Sequence, residues 1–97
     1  MSVIVTMELT VKPERLQGLK DFFEAVLPDT RAYDGFEGIH VTQDVTDENR
    51  VVLIQYWASK EHFEKYITWR TETGGVDQLM GMLTQPPVTA MLNDTGI

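Results

Sequence analysis

The sequence predicts an α+β fold of ferredoxin-like order, β-α-β-β-α-β, with an antiparallel sheet carrying its helices on one face. Three observations carry this expectation. Val3, Val5, Met7, Leu9 and Val11 alternate with Ile4, Thr6, Glu8 and Thr10, which is the period of a strand. Leu16, Leu19, Phe23, Val26 and Leu27 then recur at helical spacing. Finally the apolar run Val51–Trp57 passes through Ala58-Ser59 straight into a second helical pattern.

Each element has its own signals. Pro13 suits the first position of a helix, with Glu14 in the first turn. Pro28 predicts a break or kink, with a further helical turn over Asp29–Tyr33. Asp34-Gly35 marks a turn, and Phe36–Val45 reads as the second strand. Asp47-Glu48-Asn49 is a polar hairpin loop before the third strand, Arg50–Trp57. Ser59 is an N-cap for a second helix from Lys60 to Thr73, and His62 stands where a capping box would place Glu or Gln. Gly74-Gly75 ends that helix. Val76–Leu83 is a short extra helix stopped by Pro86-Pro87, and Val88–Asn93 is the fourth strand.

Composition bounds the rest. Ninety-seven residues make one domain over 1–97, with its core at about 3–93. The net charge of −7 argues against nucleic acid and anionic membranes, both of which call for basic patches. A neutral or aromatic small molecule is the expected partner. With no cysteine, thiolate chemistry and disulfides are excluded. There is no Gly-rich phosphate loop and no metal spacing, so the expected protein needs no cofactor and no metal. The acidic group Asp44, Asp47 and Glu48 lacks the Gly and spacing of a calcium loop. Neither a signal peptide nor a long apolar run is visible, so a cytoplasmic location is expected.

Two helices cover only one face of a four-stranded sheet. The third strand is apolar on both sides, with Val52, Ile54 and Tyr56 on one and Val51, Leu53 and Trp57 on the other. Such a strand is buried on both faces. This predicts a homodimer through the open sheet face.

The candidate site lies on the third strand and second helix. Phe63, Tyr66, Ile67 and Arg70 follow i, i+3, i+4, i+7 spacing and share a helix face. With Trp57 on the preceding strand they can line a pocket with aromatic walls and one cationic tip. Arg70 could stabilise a developing phenolate or enolate. The bland alternative is a salt bridge to Glu8, Glu72 or Asp77. The Tyr66 hydroxyl could donate to a substrate oxygen. Trp57, Phe63 and Trp69 could form a stacking wall, although aromatics at this spacing also serve as core. Gln55 and Asn93 are amides that could orient a bound oxygen or bridge a dimer. His40 could be the general base, or a polar histidine at the dimer face. His62 reads as solvent-exposed.

The stretch Asp34-Gly35-Phe36-Glu37-Gly38-Ile39-His40-Val41-Thr42-Gln43 and the junction Tyr56-Trp57-Ala58-Ser59-Lys60-Glu61-His62-Phe63 add a resemblance. Over about Val3 to Leu92 the chain resembles the antibiotic biosynthesis monooxygenase family, of the dimeric α/β-barrel group. The resemblance implies a dimer with sheets face to face and a pocket in each subunit between sheet and helices. It implies a cofactor-independent monooxygenase acting on a small aromatic phenol or quinol. A non-catalytic small-molecule binding protein and an isomerase working by enolisation are alternatives on the same scaffold. Thr30-Arg31 resembles a Ser/Thr-Arg pair of the family with a structural role. Where many members carry a second-helix His, this chain has Tyr66. Where the haem-degrading branch has Asn, Trp and a haem-ligating His, the matching positions are Met7, Tyr66 and the His-free Thr71–Leu83, so haem degradation is not expected.

Overall fold

Residues 2–97 are described by the computed structural model. Strand β1 (Val3–Thr10) leads through a 3-10 turn (Pro13–Arg15) into helix α1 (Leu16–Arg31). Strands β2 (Phe36–Gln43) and β3 (Arg50–Trp57) form a hairpin. Helices α2 (Lys60–Glu72) and α3 (Gly75–Met80) precede strand β4 (Val88–Asn93). The sheet order is β2-β3-β1-β4, and every pairing is antiparallel. This is the ferredoxin-like arrangement the sequence predicts.

Several boundaries differ from the sequence reading, for physical reasons. The helix does not start at Pro13; a 3-10 turn intervenes. Pro28 does not break α1, which runs on to Arg31. Proline there forfeits only the bond to the Glu24 carbonyl, and both residues lie on the exposed side where water can serve that oxygen. The final turn is also held from outside, because Arg70 donates to the Val26 carbonyl at 2.8 Å. Strand β2 stops at Gln43 rather than Val45, because the Asp44 side chain organises the turn. Its Oδ1 accepts from the Thr46 backbone N–H at 2.7 Å, the Thr46 hydroxyl at 2.8 Å and the Asp47 N–H at 3.2 Å. Gly74 takes a φ of 85°, one residue past the Thr73 cap of α2. That left-handed residue turns the chain into α3, which is shorter than Val76–Leu83.

Alternation along β3 sorts the two sheet faces. Val51, Leu53, Gln55 and Trp57 are buried beneath the helices, while Val52, Ile54 and Tyr56 point to the other face. The covered face holds two packed groups. Leu9, Val51 and Leu53 meet Leu19 and Phe23 of α1 and Leu79 of α3. Val3, Val5 and Trp57 meet Phe63 and Tyr66 of α2. Met7 packs against both groups and marks the seam between them. The opposite face carries Ile4, Ile54 and Tyr56, with Leu92 paired to Ile4 and His40 paired to Ile54. Val88 and Leu92 on that face are 56% and 48% exposed. Among the described residues no helix is long and apolar enough to cross a membrane.

Candidate functional site

A cavity of about 190 Å³ opens along the seam between the two packed groups. Its floor is Met7, Leu53 and Gln55 of the sheet; α1 contributes Phe23, Val26 and Thr30, and α2 contributes Phe63, Tyr66, Ile67 and Arg70. α3 closes one side with Val76, Leu79 and Met80. The wall is therefore mostly apolar, with Thr30, Gln55, Tyr66, Arg70 and Thr89 as its polar side chains.

Three of these form one hydrogen-bonded cluster. Arg70 Nε donates to the Tyr66 hydroxyl at 2.9 Å, and Arg70 Nη2 donates to Thr30 Oγ1 at 2.9 Å and to the Val26 carbonyl at 2.8 Å. The Thr30 and Tyr66 hydroxyl oxygens are 2.7 Å apart. The Thr30 hydroxyl can donate its one proton to the Val26 carbonyl at 3.2 Å or to Tyr66, and either hydroxyl can be the donor in the bond between them. The Tyr66 hydroxyl oxygen accepts from Arg70 Nε and so holds the guanidinium in place. The guanidinium also lies 4.5 Å over the Trp69 ring, which stacks on Tyr33 with centroids 5.1 Å apart. Gly75 packs closely on the Arg70 stem, where an added Cβ would sit 3.3 Å from Cδ. None of Glu8, Glu72 and Asp77 bridges Arg70; Glu8 instead pairs with Arg50.

The other predicted residues divide. Phe63 and Gln55 line the cavity. Gln55 is buried; its Oε1 accepts from Trp57 Nε1 at 3.1 Å and its Nε2 donates to Met7 Sδ at 3.4 Å. Trp57 is fully buried and does not line the cavity. Its ring meets Tyr33, Phe36, Phe63 and Tyr66, so it is the aromatic core that backs the site rather than a wall against a ligand. Trp69 supports Arg70 from outside the cavity. Asn93 pairs with Val3 at the sheet edge, is exposed, and does not reach the cavity lining. His40 is exposed on the opposite sheet face, edge-on to Tyr56 at 6.0 Å between centroids. Because successive strand residues point to opposite faces, the sheet itself separates His40 from Arg70. The expectation of His40 as the base beside Arg70 and Tyr66 is corrected on that ground.

His62 is half-buried rather than freely exposed. Ser59 Oγ accepts the His62 backbone N–H at 3.2 Å and lies 2.6 Å from Nδ1, so the imidazole fills the capping-box position. Sequence reasoning missed Thr30 as a site residue, along with the α1 wall. The signal was present: Phe23, Val26, Leu27 and Thr30 stand at i, i+3, i+4, i+7. No group of three or more His, Cys, Asp or Glu among the described residues is arranged to hold a metal.

Comparisons with known proteins agree with this architecture. The model of the antibiotic biosynthesis monooxygenase family matches residues 2–68. Among curated proteins the sequence finds no match. A conserved protein from Methanosarcina mazei Go1 superposes with a TM-score of 0.90 at 15% identity, over 98% of this chain and 94% of that one. Rv0793 from Mycobacterium tuberculosis gives 0.84 at 19% identity, over 97% and 95%. SnoaB, a cofactor-independent oxygenase from Streptomyces nogalater, gives 0.84 at 14% identity, over 97% and 93%. At such identities these likenesses speak for the fold, and the family match covers more than half of the sequence. The chain belongs to the antibiotic biosynthesis monooxygenase family.

Proposed function

We propose that the chain, acting as a single domain over its full length, is a cofactor-independent monooxygenase of a small aromatic phenol or quinol. The observation that carries this reading is the Arg70–Tyr66–Thr30 cluster set into the wall of a mostly apolar cavity. An electron-rich phenolate can itself supply electrons to oxygen. The protein then has three tasks: hold the ring, exclude water and stabilise the anion. The aliphatic and aromatic wall does the first two. Arg70, fixed by Tyr66, Thr30, Val26 and the Trp69 ring, does the third at no cost of reorganisation. Fold-level likeness to an oxygenase supports the reading by analogy only.

The same reading places the protein in the cytoplasm as a homodimer joined through its open sheet face. The half-exposed apolar residues of that face support the dimer, and His40 belongs to it rather than to the chemistry. Oxygen uptake with a panel of phenols and quinols spanning a range of acidities tests the activity. Wild type is expected to consume oxygen, and Arg70→Ala to lower turnover by about 10²-fold, the usual loss for one preorganised stabiliser of developing charge. If wild type binds aromatics and consumes no oxygen, the protein is a binding module on the same scaffold.

A further inference from the structure

The two half-buried arginines of this chain are treated differently. Arg50 sits between Glu8 and Asp44, with Asp44 Oδ2 at 3.0 Å. Arg70 has no carboxylate within 4.0 Å among the described residues, in a chain with 15 Asp and Glu. All its protein partners are neutral oxygens and ring faces. Of its five N–H donors, Nε spends one and Nη2 spends two, leaving both protons of Nη1 without an acceptor among the described residues. Gln55 adds to the imbalance: its oxygen is taken by Trp57, while Nε2 has only a thioether, a weak acceptor. The cavity therefore offers donors and positive charge and asks for an acceptor.

It also offers no base. The lining contains no histidine, aspartate, glutamate or lysine. Tyr66 is tied into the cluster, and His40 is on the other side of the sheet. Nothing on this wall can take a proton from a neutral phenol.

We infer that the cavity takes its ligand as a ready-made anion: a compact aromatic whose carboxylate or phenolate is already ionised on arrival, with its charge on Arg70 Nη1. This rests on reading the cavity as the substrate site. Size limits the body of the ligand. A cavity of roughly 150 Å³ holds a benzene, and sites for drug-sized ligands start at roughly 300 Å³. At about 190 Å³ this one fits a substituted single ring or a small fused pair. The assignment narrows the proposed substrate to aromatics acidic enough to be ionised at working pH. Bidentate or paired donation from a guanidinium suits both planar carboxylates and phenolates.

The test is equilibrium binding by calorimetry, independent of turnover. The probes are 2-naphthoate against 2-naphthamide, and a nitrophenol titrated across its own ionisation. Anions are expected to bind wild type at least about tenfold tighter than the neutral probes, as a charge-assisted bond implies. The nitrophenol is expected to gain affinity as it ionises. Arg70→Gln should erase the preference while keeping the affinity for 2-naphthamide, and Arg70→Lys should restore part of it. The two anions distinguish a carboxylate site from a phenolate site. Equal binding of charged and neutral probes by wild type overturns the anion assignment and leaves the cavity as an aromatic site. Absence of binding by every probe overturns both. The wild-type comparison stands even if a variant fails to fold.

Discussion

Thr30 and Tyr66 meet across the seam between α1 and α2 with their hydroxyl oxygens 2.7 Å apart, and the contact is buried. Thr30 Oγ1 accepts from Arg70 Nη2, shares a hydrogen bond with the Tyr66 hydroxyl and lies 3.2 Å from the Val26 carbonyl. A threonine two per cent exposed thus joins the two helices and fixes the guanidinium of the candidate site. Neighbouring polar groups depend on it, since an unmet buried donor loses its water without compensation.

Thr30→Val should therefore destabilise the fold by about 1–3 kcal/mol although it preserves shape, because Arg70 Nη2 and the Tyr66 hydroxyl lose a buried hydrogen-bond partner. Thr30→Ser should recover most of that loss. Urea unfolding of the three proteins measures it. A valine variant as stable as wild type would show that the cluster adds nothing to folding.

Much of this arrangement was legible in the sequence, and the reasons for the rest are specific. The period-2 and period-3.6 runs place the strands and helices, and the spacing of Phe63, Tyr66 and Arg70 puts them on one face, which is where they are found lining the cavity. Strand parity also separates His40 from Ile39 and Val41, yet it does not say which face lies beneath the helices. Trp57 was readable as inward-pointing, but whether its ring ends in a cavity or in solid packing depends on Tyr33, Phe36 and Phe63 arriving from three other segments. Thr30 was hidden because two of its hydroxyl's partners, Tyr66 and Arg70, lie on α2, far along the chain. Pro28 misled because its missing N–H falls on the solvent side.

The turn before β2 yields a second expectation. Gly35 has a φ of 85°, and a Cβ there would overlap the His62 ring. Gly35→Ala combines a left-handed backbone with a steric conflict, so it should cost about 1–3 kcal/mol. The structure to suffer first is the His62–Ser59 cap at the start of α2. Thermal and urea unfolding read the loss. The double variant Gly35→Ala with His62→Ala should recover part of it by removing the ring, and no recovery would assign the cost to the backbone together with the remaining Cβ of residue 62, 2.6 Å away.

Asp44 sets a pH dependence with a definite sign. Hydrogen bonds from the Thr46 backbone and hydroxyl, and then from Arg50, lower its carboxyl from 3.8 to about 2. A group lowered on folding contributes stability that is whole above its unfolded value and is lost as pH falls through its folded value. The Arg50 guanidinium is raised by Glu8 and Asp44, so its own contribution fades only at high pH, outside this window. Stability that depends on Asp44 should thus disappear between about pH 4 and pH 2. The gap between wild type and Asp44→Asn in urea should be steady from neutrality down to pH 4 and then close. A gap that persists unchanged at pH 2 would mean the carboxylate is not held by these donors.

The open sheet face carries the last expectation. Ile4, Ile54, Tyr56 and Leu92 form an apolar surface that no helix of the same chain covers. Leaving it wet forgoes the roughly 25 cal/mol per Å² that apolar burial contributes. Association of two such faces removes it from water without disturbing the helix side. Sedimentation at low micromolar concentration should give about twice the chain mass of 11.1 kDa. Ile54→Glu should shift the population to monomer, because two carboxylates would then meet near the centre of a dry interface. The core beneath the helices should be unaffected, since residue 54 points away from it, so near-ultraviolet circular dichroism of Trp57 should be retained. A monomeric wild type at these concentrations would remove the face-to-face dimer. A dimer indifferent to Ile54→Glu would move the contact to another surface.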